Sequence, residues 1–373
     1  MLGRSKLRLM LELSIVQPYV PAYRVPFFEG LRATLESDEV RVRVIAGAPR
    51  GIQAARGDAA KPDWLEEVRP RAIAVGARSL SLTHSRPLWR GSDAVIVPHQ
   101  GTSFDALSAL LFRGDRRVGV WGHIAPYTSP LNRVDGAIEA WQLRRADQVF
   151  AYTGGGRQFA REAGVVSDKI TVVMNTVDTD SLVSYLRAIT PAAQSAFLRE
   201  KDIPSEHLVG YIGGLDASKR IDFLASVMDE LWAKESKAHF LVAGTGASAQ
   251  LLERAAARGQ ATLLGYVDGL TKAHLLKAVR FVVNPGRVGL IAVDCLAAQR
   301  PLLTTRWPWH APEIDYLEEG KSLFTFEDNP VDAAVSIEAA LEEAPGDGTS
   351  WPPAPTLADM VGNFREGVLR MLR

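Results

Sequence analysis

Three glycine-bearing stretches, each directly after a short apolar run, have the make-up of an anion site: GGLDASKR (213–220), AGTGAS (243–248) and PGRVGL (285–290). In an open α/β sheet, ligands sit beyond the carboxyl ends of the strands. There helix N-termini offer N–H groups to anions, and glycine lets the main chain come close to a phosphate. Each such turn alone is also ordinary strand-to-helix geometry. The combination says more, because Lys219 stands just past the first loop and Arg287 inside the third. Both are placed to meet a diphosphate held over the helix that opens at VGLI. The expected main-chain contributors are Gly213, Gly214, Gly244, Gly286, Val288, Gly289 and Leu290. Asp294, on the same helix, reads either as a carboxylate favoured by the helix dipole or as an acceptor for a vicinal diol such as a ribose. None of the loops ends in the Gly-Lys-Ser/Thr of a Walker motif, and none has the full Gly-x-Gly-x-x-Gly fingerprint, so kinase-type and NAD-type readings fall.

The first half offers a different set. VGVWGHIAPYTSPLNR (118–133) puts His123 in a loop after a strand, and VIVPHQGTSF puts His99 at the end of another. A lone histidine in such a place is as readily a structural residue. Tyr23 and Arg24, in QPYVPAYRVPFFEGL (17–31), are candidates for binding an acceptor or a phosphate. In the second half RWPWHAPEIDYLEEG (306–320), with His310 and Glu313, is either cleft lining or packing of its two tryptophans. The single cysteine, Cys295, excludes an internal disulfide framework and a cysteine-cluster metal site, which fits a reducing cytoplasm.

These residues need a scaffold of alternating strands and helices, and the chain supplies one. At 373 residues, 47% hydrophobic and 23% charged, it can bury two ordinary cores. Short apolar runs alternate with longer amphipathic segments, which predicts βα units and parallel sheets. Strands are expected near 9–16, 40–46, 94–98, 117–121, 148–152 and 170–173, with a further one at 71–75. Helices are expected near 26–35, 103–112, 134–146 and 154–163. The pattern restarts at HLVGYIGG (207–214), with helices near 221–234, 247–258 and 270–279 and strands near 238–243, 261–264 and 281–284. The polar, proline-containing stretch 180–205 reads as the boundary, and EAPGDGTSWPPAPT (343–356) as a connection without strands. The first 16 residues read as the first strand, because Glu12 interrupts the apolar run and no cleavage site follows. No run approaches the length of a membrane span. Residues 1–180 hold 24 Lys+Arg against 19 Asp+Glu. That excess is small and unclustered, so ordinary charge variation accounts for it as well as an anionic membrane face or a phosphorylated acceptor does.

Taken in order, GLDASKRIDFL, HFLVAGTG, LLGYVDG, VNPGRVGLIAVDCLAAQRPLLTT and MNTVDTD (174–180) resemble the motifs of retaining GT-B glycosyltransferases of the glycosyltransferase 4 type, also called group 1. The resemblance covers most of 145–330. It implies an α/β fold with GT-B architecture: two doubly wound Rossmann-like domains facing a cleft, 1–185 on the acceptor side and 186–350 binding the donor, and a terminal helix in 351–373 packing back on the first domain. It implies transfer of a sugar from a nucleoside-diphosphate sugar to an acceptor hydroxyl with retention, in polysaccharide, lipid-linked saccharide or glycoconjugate biosynthesis. The donor is a substrate, and neither a cofactor nor a metal is implied. Acceptors are saccharide, lipid-linked or small-molecule compounds, with no nucleic acid, in the cytoplasm and with peripheral contact at the inner membrane face left open. By position, Lys219 matches the family lysine on the diphosphate, Gly289 and Leu290 its helix mouth, Asp294 its ribose acid and His123 its sugar-contacting histidine. With Arg287, Lys219 and His123 form the expected catalytic set, and Tyr23, Arg24 and His99 the acceptor side. Three positions depart from the pattern. Gly286 replaces the first acid, Gly214 the second cation, and Pro21-Ala22-Tyr23-Arg24 the usual glycine turn. Two rivals follow: a sugar-nucleotide epimerase, and a non-catalytic sugar-nucleotide-binding homologue.

Overall fold

The computed structural model describes residues 10–49, 57–69, 71–75, 78–82, 85–128, 130–342 and 351–373, and side chains are described outside 70–84. The chain divides into two compact units, one of Met1–Pro126, Pro130–Asn175 and Leu357–Arg373, the other of Tyr127–Ser129 and Thr176–Thr356.

The first unit is built on strands β1 (Leu11–Gln17), β2 (Val40–Gly47), β3 (Leu65–Val68), β6 (Ala94–Pro98), β7 (Arg117–Gly122), β8 (Gln148–Ala151) and β9 (Ile170–Val172). They form one sheet in the order β3-β2-β1-β6-β7-β8-β9, parallel throughout. Between β3 and β6 lies an antiparallel hairpin, β4 (Arg71–Val75) with β5 (Arg78–Leu82). The strand at 71–75 is therefore present, but outside the main sheet. Helices α1 (Val25–Glu36), α2 (Arg86–Trp89), α3 (Phe104–Leu111), α4 (Arg133–Arg145) and α5 (Gly154–Glu162) follow the strands. Central strands such as β6 and β8 are apolar and buried along most of their length, as a parallel sheet covered on both faces demands. In α1, Phe27, Phe28, Leu31 and Leu35 recur at helical spacing and are fully buried. Asn132 caps α4 by accepting from the Val134 and Asp135 N–H groups.

The second unit carries α6 (Thr179–Ala188), α7 (Pro191–Glu200), β10 (Leu208–Ile212), α8 (Ile221–Ala233), β11 (His239–Ala243), α9 (Glu253–Ala257), β12 (Ala261–Gly265), α10 (Gly269–Ala278), β13 (Phe281–Val283), α11 (Ile291–Ala298), β14 (Leu302–Thr305), β15 (Leu323–Phe326) and α12 (Pro330–Glu342). Its sheet runs β12-β11-β10-β13-β14-β15. In both sheets the order reverses beside the first strand of the unit, so each has a crossover point where two successive loops part: after β1 and β6, and after β10 and β13. Among the described residues no helix is long and apolar enough to cross a membrane.

Four expectations are revised. The stretch 180–205 is helical up to Glu200 apart from the break at 189–190, because Thr190 accepts from the Ala193 N–H, Pro191 sits in the first turn, and AAQSAFLRE continues as good helix formers. The units part at 175/176 instead, with α6 in the second unit against α10 and α11. The helix at 247–258 breaks into a 3-10 turn, Ala249–Leu252, and the short α9. Two elements beyond 305, β15 and α12, extend the second unit. Of the expected first strand, Leu9 lies outside the described residues, as do 343–350 of the proline-rich connection; 351–356 has no regular element.

The last helix, α13 (Leu357–Leu372), packs within the first unit against α1, β8 and β9. Phe364 stacks on Phe150 at 4.5 Å between ring centroids. A Cβ at Gly367 would fall 2.6 Å from both Phe150 and Thr171, so only glycine lets the helix lie this close to the sheet.

Candidate functional site

In the second unit the loops after β10 and β13 meet through main chain. The Arg287 N–H donates to the Ser218 carbonyl at 2.8 Å. Lys219 ends a 3-10 turn, Ala217–Lys219, that Asp216 caps by accepting from the Ser218 N–H. From there the Lys219 ammonium donates to the Arg287 carbonyl. The structure thus brings the two residues together, through the Arg287 carbonyl and not through its charge. The Arg287 guanidinium is already engaged, donating from Nη2 to the Thr128 carbonyl at 3.1 Å, Thr128 belonging to the same unit.

Gly286 explains a departure noted in the sequence. A Cβ there would lie 2.5 Å from the Lys219 carbonyl carbon and 2.6 Å from the Ser218 oxygen. The approach of the two loops leaves no room for any side chain, including the acid of the family pattern. The turns after β10 and β11 are similarly close. A Cβ on Gly244 would fall 1.8 Å from the Gly213 oxygen, and one on Gly246 2.2 Å from the Leu215 oxygen. Their glycines are accounted for by this contact, and the N–H groups of Gly213 and Gly244 donate to the Ala243 and Gly265 carbonyls. Neither amide is left over for an anion, so any part these two glycines play is the close approach their missing side chains permit.

The Val288 N–H is engaged as well, donating to His310 Nδ1 at 3.1 Å. That bond requires Nδ1 to be unprotonated. Burial pushes the His310 pKa down to about 4; main-chain hydrogen bonds at Thr305 and Gly286 oppose the shift, and nearby Lys219 adds to it. His310, named in the sequence within a stretch of cleft lining or packing, is a support of the loop before α11. Its signal was its place in a loop beside the glycine stretch. What the mouth of α11 keeps is the amides of Gly289 and Leu290, with Gly214 and Gly286 nearby, for which no acceptor occurs among the described residues. Gly289 and Leu290 are half-buried, and their unpaired N–H groups carry the partial positive charge of a helix start.

Asp294 is 7% exposed and pairs with Lys272 of α10, Oδ1 to Nζ at 2.7 Å. The diol reading therefore has Oδ2 as its unshared oxygen. Lys272 was not visible as a partner in the sequence, since it lies 22 residues away on another helix.

The first-unit candidates separate into two groups. His99 is pinned: its N–H donates to the Trp121 carbonyl, and Nε2 lies 3.3 Å from the Glu139 carbonyl. Burial takes its pKa down to about 4, against the pull of that carbonyl, and a neutral packing histidine results. His123, by contrast, lies edge-on to Tyr152 at 5.2 Å. The next residue, Ile124, is buried at φ 70°, a left-handed conformation that costs a β-branched side chain about 1–3 kcal/mol. Tyr23 is exposed, whereas Arg24 is buried among aromatic rings near His123 and Tyr152. Cys295 is fully buried and its thiol pKa is pushed up by burial, as expected for a packing residue.

Residues 28–181 match the family model described as Glycosyltransferase Family 4, and residues 206–343 the model described as Glycosyl transferases group 1. No curated protein matches the chain. Among solved structures, Anabaena HepE in complex with UDP and glucose shares 15% identity with a TM-score of 0.66, covering 96% of this chain and 99% of that one. A glycosyltransferase from Rickettsia africae ESF-5 shares 14% at 0.63, covering 98% and 96%. The UDP-GlcNAc 2-epimerase of Methanocaldococcus jannaschii shares 14% at 0.59, covering 96% and 100%. At such identity the likeness concerns the fold, and it embraces the transferase and epimerase alike.

Proposed function

The chain is a group 1, family 4 glycosyltransferase with the two-domain α/β layout of GT-B enzymes, and from that premise we propose that its second unit binds a nucleoside-diphosphate sugar at the β10/β13 crossover. The observation that carries this reading is the pairing of acceptor-less amides at Gly289 and Leu290 with the Lys219 ammonium, all on loops locked by main-chain bonds. The diphosphate lies on those amides and Lys219, with Gly214 and Gly286 allowing close approach. Asp294 Oδ2 takes the ribose. Arg287 serves mainly through its carbonyl, as the residue that aims Lys219.

In the reaction proposed, the bond between the anomeric carbon and the diphosphate breaks first, and the charge that develops on the departing oxygen is met by preorganised donors. The acceptor hydroxyl attacks from the same face and gives its proton to that oxygen, so configuration is retained and no separate base is needed. The first unit binds the acceptor, and His123 is its candidate for contact with a sugar. The acceptor is a saccharide, a lipid-linked saccharide or a small molecule; the modest basic excess of the first 180 residues tilts the choice toward an acceptor at an anionic membrane face.

Thermal-shift binding across UDP-, GDP-, TDP- and ADP-sugars tests the donor. One nucleotide should stabilise the protein. Lys219→Ala should remove that shift and lower kcat/KM by about a hundredfold, as loss of one charge-stabilising donor does. If no nucleotide binds, the donor site is not the one proposed; if a nucleotide binds but its sugar is neither transferred nor hydrolysed, the non-catalytic reading replaces this one. If the sugar nucleotide changes with no acceptor present, the epimerase reading does.

A further inference from the structure

Arg24 is a cation that the first unit encloses without giving it an anion. The side chain is 5% exposed. Its guanidinium carbon stands 5.2 Å from the Tyr23 ring centroid, 5.8 Å from Phe27, 5.6 Å from Trp121 and 5.9 Å from Tyr152. Nη2 donates to Asn175 Oδ1 at 2.8 Å, and Nη1 meets the Met360 sulfur, a weak acceptor, at 3.3 Å. Among the described residues no carboxylate pairs with it, and nothing accepts from Nε.

A second donor beside it is in the same condition. Trp121, 3% exposed, has its indole N–H buried without an acceptor. A buried donor left unsatisfied costs about 1–3 kcal/mol, and an enclosed charge without a partner costs more. Aromatic faces offset part of the cost of the cation, but they supply no acceptor for the Trp121 N–H. The two side chains present donors only, so their chemical complement is an oxyanion.

The location is one where ligands are held. Tyr23 follows β1, Tyr152 follows β8 and Asn175 follows β9, so the cluster lies beyond the carboxyl ends of the strands. Tyr23, 40% exposed, forms its outer wall, and His123 rests against Tyr152. The left-handed Ile124 adjoins that histidine, and such strain gathers at ligand sites.

We infer that the acceptor carries an oxyanion, a phosphate or a carboxylate, and that Arg24 and Trp121 seat it. This rests on the reading of the chain as a transferase whose first unit receives the acceptor. It narrows the acceptor from any hydroxyl compound to an anionic one.

The test uses the full chain saturated with its nucleotide, so that the second unit is not the phosphate site being measured. Calorimetry compares a hexose phosphate, a hexuronic acid and the uncharged hexose. One of the charged compounds should bind at least about tenfold more tightly than the hexose, the scale of a charge-assisted hydrogen bond, and which one does so tells phosphate from carboxylate. Arg24→Lys should lose most of that preference. Trp121→Phe, which removes the orphan N–H and keeps the ring, should lose part of it while the melting temperature holds or rises. Equal binding of charged and uncharged compounds overturns the inference, as does a preference that survives both substitutions. Repeating the anion titration in Lys219→Ala without nucleotide keeps the two readings apart. Loss of nucleotide binding there with the anion preference intact touches only the donor site, whereas a wild type that binds nucleotide but shows no anion preference defeats only this inference.

Discussion

The two crossover points of this chain are made in opposite ways. In the second unit the loops after β10 and β13 meet through main-chain atoms, the Arg287 N–H donating to the Ser218 carbonyl and the Lys219 ammonium to the Arg287 carbonyl, and side chains are excluded at Gly244 and Gly286. In the first unit the corresponding ground is filled by side chains: Arg24 among four rings, His99 on the Glu139 carbonyl, and His123 on Tyr152. Main-chain amides recognise a diphosphate whatever the rest of the ligand is, while side chains can be exchanged to suit different partners. One site thus suits a constant leaving group, and the other a variable acceptor.

The largest effect should come from disturbing the main-chain contact. Gly244→Ala places a Cβ 1.8 Å from a carbonyl oxygen, and Gly286→Glu places one 2.5 Å from a carbonyl carbon. Each should destabilise the second unit by more than about 4 kcal/mol, the range that requires a clash of this kind. Hydrogen exchange by peptide should show the loss in β10, β11 and β13, while β1 and α13 keep their protection. Restoring the acid of the family pattern at 286 is therefore expected to harm the protein. If Gly286→Glu is as stable as wild type, the loops are not held as described, and the contrast between the two units goes with them.

This contrast also marks what could be read in advance. The alternation of apolar runs and amphipathic segments placed most strands of both sheets, because a buried parallel strand must be apolar along its length. The loop mouths were legible for a similar reason: glycine and a cation after a strand is a local pattern. The strand β3, LEEV, carries two acids at a sheet edge and has no such signature. Helices α6 and α7 look like a linker in the sequence because their polar residues outweigh the caps, Asp178 before α6 and Thr190 with Pro191 before α7. What local pattern cannot show is pairing at a distance. Lys272 with Asp294 and His310 with Val288 each span 22 residues and two elements. Arg24 is the plainest case, since arginine is a surface residue by default and nothing near it in the chain announces burial.

A smaller effect separates the two roles of Asp294. If the carboxylate serves only to compensate Lys272, Lys272→Met with Asp294→Asn should restore the stability that either change alone removes, and nucleotide binding should return with it. If Oδ2 also meets the ribose, stability recovers in the double variant but affinity stays about tenfold down. With Lys272 partly solvated, each single change should cost about 1–2 kcal/mol, below the 3–5 kcal/mol of a fully buried pair. Thermal melts and nucleotide titrations on the same three variants read both quantities.

The smallest effect is in pH, and it probes both units at once. His99 and His310 are each held neutral in the fold with pKa values near 4, against an ordinary value of 6.5. A histidine depressed on folding makes the unfolded chain bind more protons as pH drops, so its contribution is present above 6.5 and is lost as pH falls toward 4. For His310 the loss has a local consequence, since a protonated Nδ1 can no longer accept from the Val288 N–H, and the mouth of α11 loosens. Nucleotide affinity should therefore fall as pH nears 4, in protein that is still folded. His310→Asn, whose amide oxygen can stand where Nδ1 does, should flatten the fall. His99→Gln should instead ease acid loss in the first unit and leave nucleotide affinity unmoved. Should affinity follow the His99 variant, the histidine governing the donor loop is not the one hydrogen-bonded to it, and the assignment of that loop's support to His310 is wrong.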